Sequence, residues 1–248
     1  MPQNQHDYLR MAEMYDQLAD YYKYVNPNKY IAYYQQHFHY MNLASEAMRT
    51  FEVMEQQRLA ALQAKVRLVH ASFNTPKVDI YINGTRVLKD FEHKDSSNYL
   101  PLTAGKYQLD IYPAGNMVST VLSRKIIVEH GRPYTFIFSG DEKKLKWLSV
   151  EDDYRLPRNE TKLRFIHLAE NSPALDIAVK GRDIIFPELA YRKHTNYLGL
   201  SPITVDLEAR VAGSNEAALA IPKVQLKPNQ IYSVLIIDSE PNLEAIII

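Results

Sequence analysis

Residues 66 to 248 are written twice. Val66-Arg67-Leu68-Val69-His70, followed by Pro76 and Asp79-Ile80, returns as Leu163-Arg164-Phe165-Ile166-His167, followed by Pro173 and Asp176-Ile177. Further on, Asn98-Tyr99-Leu100 returns as Asn196-Tyr197-Leu198, Ala114-Gly115 as Ala212-Gly213, and Tyr134 as Tyr232. A copy of roughly 100 residues is domain-sized and far longer than a solenoid unit, so the pattern predicts two similar modules in tandem.

Within each copy the apolar period is two. Val78, Ile80 and Ile82 alternate and end in Asn83-Gly84, a hairpin signal that needs positive φ. Leu109 and Ile111 lead to a turn at Pro113-Ala114-Gly115-Asn116, and Val118 to Val128, Tyr134 to Phe138 and Leu145 to Val150 read as further strands. Turn signals spaced in this way predict seven or so short strands per copy, an antiparallel sandwich. The expected modules are 65–150 and 161–248, joined by a polar linker over 151–160, with the final Ile246-Ile247-Ile248 a paired terminal strand.

Before residue 65 the chain has a different character. The first 64 residues hold no Gly, nine of the 18 Tyr and six of the seven Met. Met11, Met14 or Tyr15, Leu18, Tyr22 and Val25 recur at helical spacing, and Asn26-Pro27 reads as a cap followed by Pro at a first helical position. A second stripe holds Ile31, Tyr34, Phe38, Met41, Ser45 and Met48, then Leu59 and Leu62 after a phase shift. Two helices are therefore expected, about 7–25 and 27–64, the second about 57 Å long at ~1.5 Å per residue. So long a rod predicts contact with another copy, with the first helix, or with both.

The strand Val/Leu-Arg-x-x-His, the Pro and Asp-Ile that follow it, Asn-Tyr-Leu, and Gly-x-Tyr at Gly105-Lys106-Tyr107 together resemble the bacterial domain-of-unknown-function family 4397, over residues 65–248. The resemblance implies tandem immunoglobulin-like sandwiches, a kind of domain usually carried by exported or surface proteins. It brings no catalytic residues. The second copy departs from the family pattern where Gly105-Lys106-Tyr107 becomes Ile203-Thr204-Val205, and the tyrosine-rich helices lie outside it.

Several chemistries lose their basis at this stage. There is no Cys, which removes thiolate nucleophiles and thiolate metal sites. Lys plus Arg and Asp plus Glu are both 29, so there is no global attraction for nucleic acid. No apolar run is long enough to insert in a membrane. Residues 1–7 lack a secretory pattern, which predicts synthesis in the cytoplasm. No phosphate loop, dinucleotide fingerprint or Gly-x-Ser-x-Gly elbow is present, and Ser72, Ser119 and Ser201 are isolated.

The duplicated His70 and His167, with Asp79 and Asp176, invite a metal or acid–base reading, but the duplication places each pair in separate modules. Structural rings bonded to nearby backbone or to a carboxylate are expected instead. His37 and His39 are two apart on a helix and do not share a face. Glu151-Asp152-Asp153 lacks the alternation and turn Gly of a calcium loop and is read as solvated linker. Tyr134 and Tyr232, which open matching strands, are expected to bond the preceding loop. The band Tyr21, Tyr22, Tyr24, Tyr30, Tyr33, Tyr34 and Tyr40 lies on too many faces for one buried stripe and is expected at an interface, since Tyr combines contact area with a polar end.

The sequence thus predicts a non-enzymatic scaffold without cofactor or metal. Its helical arm would join copies of the chain or other coat and surface proteins, in a bacterial surface layer or spore coat. The alternative is a glycan- or peptidoglycan-binding module using loop aromatics such as Tyr99 and Tyr197. A hydrolase with a site between the copies has no supporting motif.

Overall fold

The computed structural model describes residues 5–238 and 242–248. It divides into a helical unit ending at Leu62 and a β unit beginning at Gln63.

The helical unit is a hairpin of α1 (Gln5–Tyr22) and α2 (Pro27–Leu62). Asn26 Oδ1 accepts from the Lys29 backbone N–H at 3.2 Å, the capping bond expected ahead of Pro27. The stripe anticipated for α1 faces the seam through Met11, Tyr15, Leu18 and Tyr22, which are half-buried, while Met14 and Val25 are exposed. The seam also holds Ala12, Ala19 and Ala44, which are buried, and tyrosine rings stacked across the helices. Small residues let the backbones approach, and the rings fill the space between them.

Among the described residues the β unit holds sixteen strands in four sheets. The first eight are β1 (Ala64–Ala71), β2 (Val78–Ile82), β3 (Thr85–Phe91), β4 (Leu100–Leu102), β5 (Gly105–Pro113), β6 (Leu122–Val128), β7 (Pro133–Ser139) and β8 (Lys146–Glu151). The second eight are β9 (Thr161–His167), β10 (Leu175–Val179), β11 (Ile184–Leu189), β12 (Leu198–Leu200), β13 (Ile203–Val211), β14 (Ala217–Leu226), β15 (Gln230–Ile237) and β16 (Glu244–Ile247). Sheets β4-β1-β7-β8 and β3-β2-β5-β6 face each other in the first module, and β12-β9-β15-β16 and β11-β10-β13-β14 in the second, strand for strand in the same order. Each sandwich closes on its own core, around Leu68, Ile80, Ile111 and Phe136 in one and Phe165, Ile177, Ala209 and Val234 in the other.

The sheets are antiparallel except for one pair in each module. β1 runs parallel to β7 and β9 parallel to β15. These strands are also buried on both faces, as parallel strands usually are. Their outer faces supply a third apolar cluster, with Val69, Ile137 and Val150 from the first module against Ile166, Leu168 and Leu235 from the second. The modules are therefore joined by a core of their own. The Asn83-Gly84 turn has φ of 48° and 78°, as its hairpin requires.

Candidate functional site

The duplicated polar residues are consumed by the fold. Asp79 Oδ1 accepts from the Asp90 N–H at 2.9 Å, and its other oxygen from Gly115 N–H and Arg86. Asp176 repeats this with Glu188 N–H at 2.7 Å and Gly213 N–H at 3.0 Å. Asp90 and Glu188 sit at positive φ, where the register of β2–β3 and of β10–β11 shifts. A bulge leaves an N–H outside the ladder, and the carboxylate meets it.

His70 and His167 are fully buried. Each ring accepts at Nδ1 from the backbone N–H two residues on, Ser72 at 3.4 Å and Ala169 at 3.3 Å. His167 Nε2 lies 3.0 Å from the Pro173 carbonyl. In the first module the Pro76 carbonyl is the counterpart and favours the protonated ring, without closing to a hydrogen bond at His70 Nε2. Burial lowers the pKa of His70 to about 4, against the opposing pull of the Pro76 carbonyl, and lowers that of His167. Both rings are neutral at pH 7. Tyr232 Oη accepts from the Lys227 N–H at 3.1 Å, and Tyr134 takes the same bond from Glu129, so both close the corner ahead of their strands. Ser72 bonds Thr75 and the Gly140 carbonyl.

The structure corrects the reading of Glu151-Asp152-Asp153 as solvated linker. Glu151 ends β8, and Asp152 is buried between the modules. One Asp152 oxygen accepts from Tyr99 Oη and Thr135 Oγ1, each at 2.6 Å, and the other pairs with Arg164. Arg164 also bonds Ser233 Oγ and stacks on Tyr197, as Arg67 bonds Thr135 Oγ1 and stacks on Tyr99. Matching Arg–Tyr–hydroxyl triads thus meet around one carboxylate. Burial and the Asp152 charge raise the Tyr99 hydroxyl to about 12. Tyr99 and Tyr197 are accordingly not the free loop aromatics that a glycan platform would need. No local spacing in the sequence links Asp152 to Tyr99 and Arg164, which lie 53 and 12 residues away.

In the arm the tyrosines divide. Tyr15 stacks on Tyr33 and Tyr40, Tyr22 stacks on Tyr33, and Tyr8 lies against Tyr40, so these rings form a ladder between α1 and α2. Tyr30 is half-buried and stacks on Tyr34. Tyr21 and Tyr24 are 70% and 90% exposed at the hairpin turn. His37 belongs to the seam too, with Nδ1 3.0 Å from the Ala12 carbonyl. The expectation that the whole band serves an external interface is therefore corrected: Tyr22, Tyr33 and Tyr40 hold the hairpin together.

What faces solvent is the apolar stripe of α2. Ile31 and Phe38 are 52% and 51% exposed, and Tyr34, Met41 and Met48 lie on the same open face. Phe51, Met54 and Leu59 extend the exposed apolar surface toward the end of the helix. A face of this size is unusual on a soluble chain without a partner. Among the described residues no group of three or more acidic or histidine side chains is arranged to hold a metal, and no helix is long and apolar enough to cross a membrane.

Residues 64–178 match the family model described as a domain of unknown function, DUF4397, which bears out the resemblance read from the sequence. The match covers the first module and runs into β10 of the second. No curated protein matches the chain in sequence. Similar solved structures include the C-terminal domain of AlgF from P. aeruginosa, 19% identical, covering 37% of this chain and 99% of that one at a TM-score of 0.28. The Bacillus anthracis TIE protein is 11% identical, with 72% of this chain and 35% of that one covered at 0.23. A fimbrial assembly protein from Parabacteroides distasonis is 10% identical, with 75% and 95% covered at 0.24. At these scores the likenesses carry no argument about fold or function.

Proposed function

We propose that this chain, which carries a domain of the DUF4397 family, is a non-enzymatic structural protein that assembles through its helical arm, in a bacterial surface layer or spore coat. The observation that carries the reading is the open apolar face of α2, with Ile31, Phe38 and Met41 exposed along one side of a helix whose other side is already paired with α1. The β unit supports it from the other direction. The carboxylates, histidines and hydroxyls that could have made a reactive site are bonded to backbone or to each other. The surface location rests on the kind of protein in which such domains usually occur.

The test is light scattering of the full chain beside a variant carrying Phe38→Lys and Met41→Lys, both on the exposed face. The wild type should scatter as a multiple of the monomer mass and the variant as the monomer. A monomeric wild type at tens of micromolar would remove the assembly role. Recovery of the protein only from vegetative cytosol would remove the surface location.

A further inference from the structure

The open stripe of α2 is a strict heptad. Ile31, Phe38 and Ser45 fall seven apart, and Tyr34, Met41 and Met48 interleave with them at the 3-4 spacing of a coiled-coil seam. No phase shift follows. The same frame continues through Glu52 and Glu55 and resumes apolar at Leu59 and Leu62. A period of 3.5 keeps a seam facing one partner helix along its length. The frame that packs on α1 is a different one, carried by Tyr33, His37, Tyr40 and Ala44. At ~100° per residue the two faces lie about 110° apart around α2, so the helix can touch two neighbours at once, as each helix of a four-helix bundle does.

We infer that two copies of the chain pair their α2 helices antiparallel through residues 31–48, Ile31 opposite the partner's Met48 and Phe38 opposite the partner's Met41. The inference deepens the assembly role proposed above and rests on it. The carboxylates select this arrangement. A parallel pair would set Glu52 against Glu52 and Glu55 against Glu55 inside the seam, like charges with no cation between them. An antiparallel pair using the whole stripe would set Ile31 against Leu62, which places Glu55 opposite Phe38 and Glu52 opposite Met41 and strips those carboxylates of water. Moving the register by two heptads to 31 opposite 48 leaves only apolar side chains and Ser45 in the seam, over about 27 Å. It also brings Glu52 and Glu55 to the level of the partner's Lys29 and Lys23. Both lysines are exposed, Lys23 in the hairpin turn and Lys29 in the first turn of α2.

The absence of native cysteine makes the register directly readable. Full-length Ile31→Cys and Met48→Cys chains are mixed, reduced, allowed to exchange and oxidised with diamide, and light scattering on the reduced mixture reports association. Thiols bridge only when their Cα atoms come within about 7 Å. The expected result is a dimer mass before oxidation and a 31–48 heterodisulfide in at least tenfold excess over either homodisulfide, because in this register two copies of position 31 lie about 25 Å apart. A dimer that gives mainly 31–31 homodisulfides, or that bridges Ile31→Cys to Leu62→Cys instead, overturns the register and leaves the assembly role standing. A monomer mass, or a dimer unaffected by Phe38→Lys, overturns both.

Discussion

Arg164 of the second module and Asp152 at the end of the first are a buried ion pair, their side chains 1% and 2% exposed. The pair is the polar counterpart of the apolar cluster that joins the two sandwiches. Asp152 is held from both sides, by Tyr99 and Thr135 and by Arg164, so its charge is desolvated but well bonded. A pair of this kind contributes little net stability over an apolar replacement, yet it is expensive to break from one side. Its consequence is geometric, since the carboxylate ties Thr135 of β7 to Arg164 of β9.

Asp152→Ala should therefore destabilise the β unit by about 3–5 kcal/mol, because Arg164 keeps its buried charge with no carboxylate to meet it. Arg164→Met combined with Asp152→Leu should lose clearly less than the single change. Guanidinium unfolding followed by the fluorescence of Trp147, the single tryptophan, measures both. Equal losses in the two variants would mean the pair is not under this constraint.

The sandwich reading, the resemblance and the hairpin turn at Asn83-Gly84 were legible because each rests on local signals: alternation, turn chemistry and a motif present twice. Three features were not. The parallel pairing of β1 with β7 joins residues 68 apart in the chain and leaves no local mark beyond unbroken apolar runs. The role of Asp152 was hidden because its partners come from other strands and loops, Tyr99 at 53 residues and Arg164 at 12, and no local spacing joins them. In the arm, the stripe of Tyr15 and Tyr22 marks the face of α1 that meets α2, but Ala12, Ala19 and Ala44 carry too little hydrophobicity to show in the pattern, although these small residues let α1 approach α2.

The two buried histidines make the β unit sensitive to mild acid. The folded-state pKa of His70 is about 4 against 6.5 for a free ring, and that of His167 is also lowered, both through burial. The unfolded chain then binds more protons than the folded one between those values. Stability is fully present above pH 6.5 and falls as pH drops toward 4, by up to about 1.4 kcal/mol per pH unit for each ring. His70→Gln, which keeps an acceptor for the Ser72 N–H without titrating, should narrow the gap between unfolding midpoints at pH 7 and pH 5. An unchanged gap would show that other groups set the acid response.

The tyrosine ladder predicts a sharp difference between rings of the same type in the same hairpin. Tyr15 meets both Tyr33 and Tyr40, whereas Tyr24 is almost entirely exposed. Each aromatic pair contributes about 0.5–1.5 kcal/mol beyond its area. Tyr15→Ala should thus loosen α1 on α2 by about 3 kcal/mol or more once lost burial is included, seen as faster amide exchange along α1. Tyr24→Ala should leave exchange unchanged. If both substitutions act alike, the ladder does not hold the hairpin.

Asp79 and Asp176 should behave as twins under substitution but for one difference. Both accept two backbone N–H groups at matching bulges, and only Asp79 also holds an arginine, Arg86. Removing either carboxylate leaves buried N–H groups without an acceptor, at about 1–3 kcal/mol, so Asp79→Ala and Asp176→Ala should each lower the unfolding midpoint. Burial would raise the Asp79 pKa, but the Asp90 and Gly115 N–H groups and Arg86 outweigh it and hold the carboxyl below its usual value of 3.8. Its contribution is present above that value and is lost only as pH falls through the lower folded-state pKa, well beneath the histidine window. The stability difference between wild type and Asp79→Ala should accordingly be constant from pH 7 to pH 5. A difference that shrinks across that interval would show that Asp79 is not ionised in the folded module and that the bulge is held by something else.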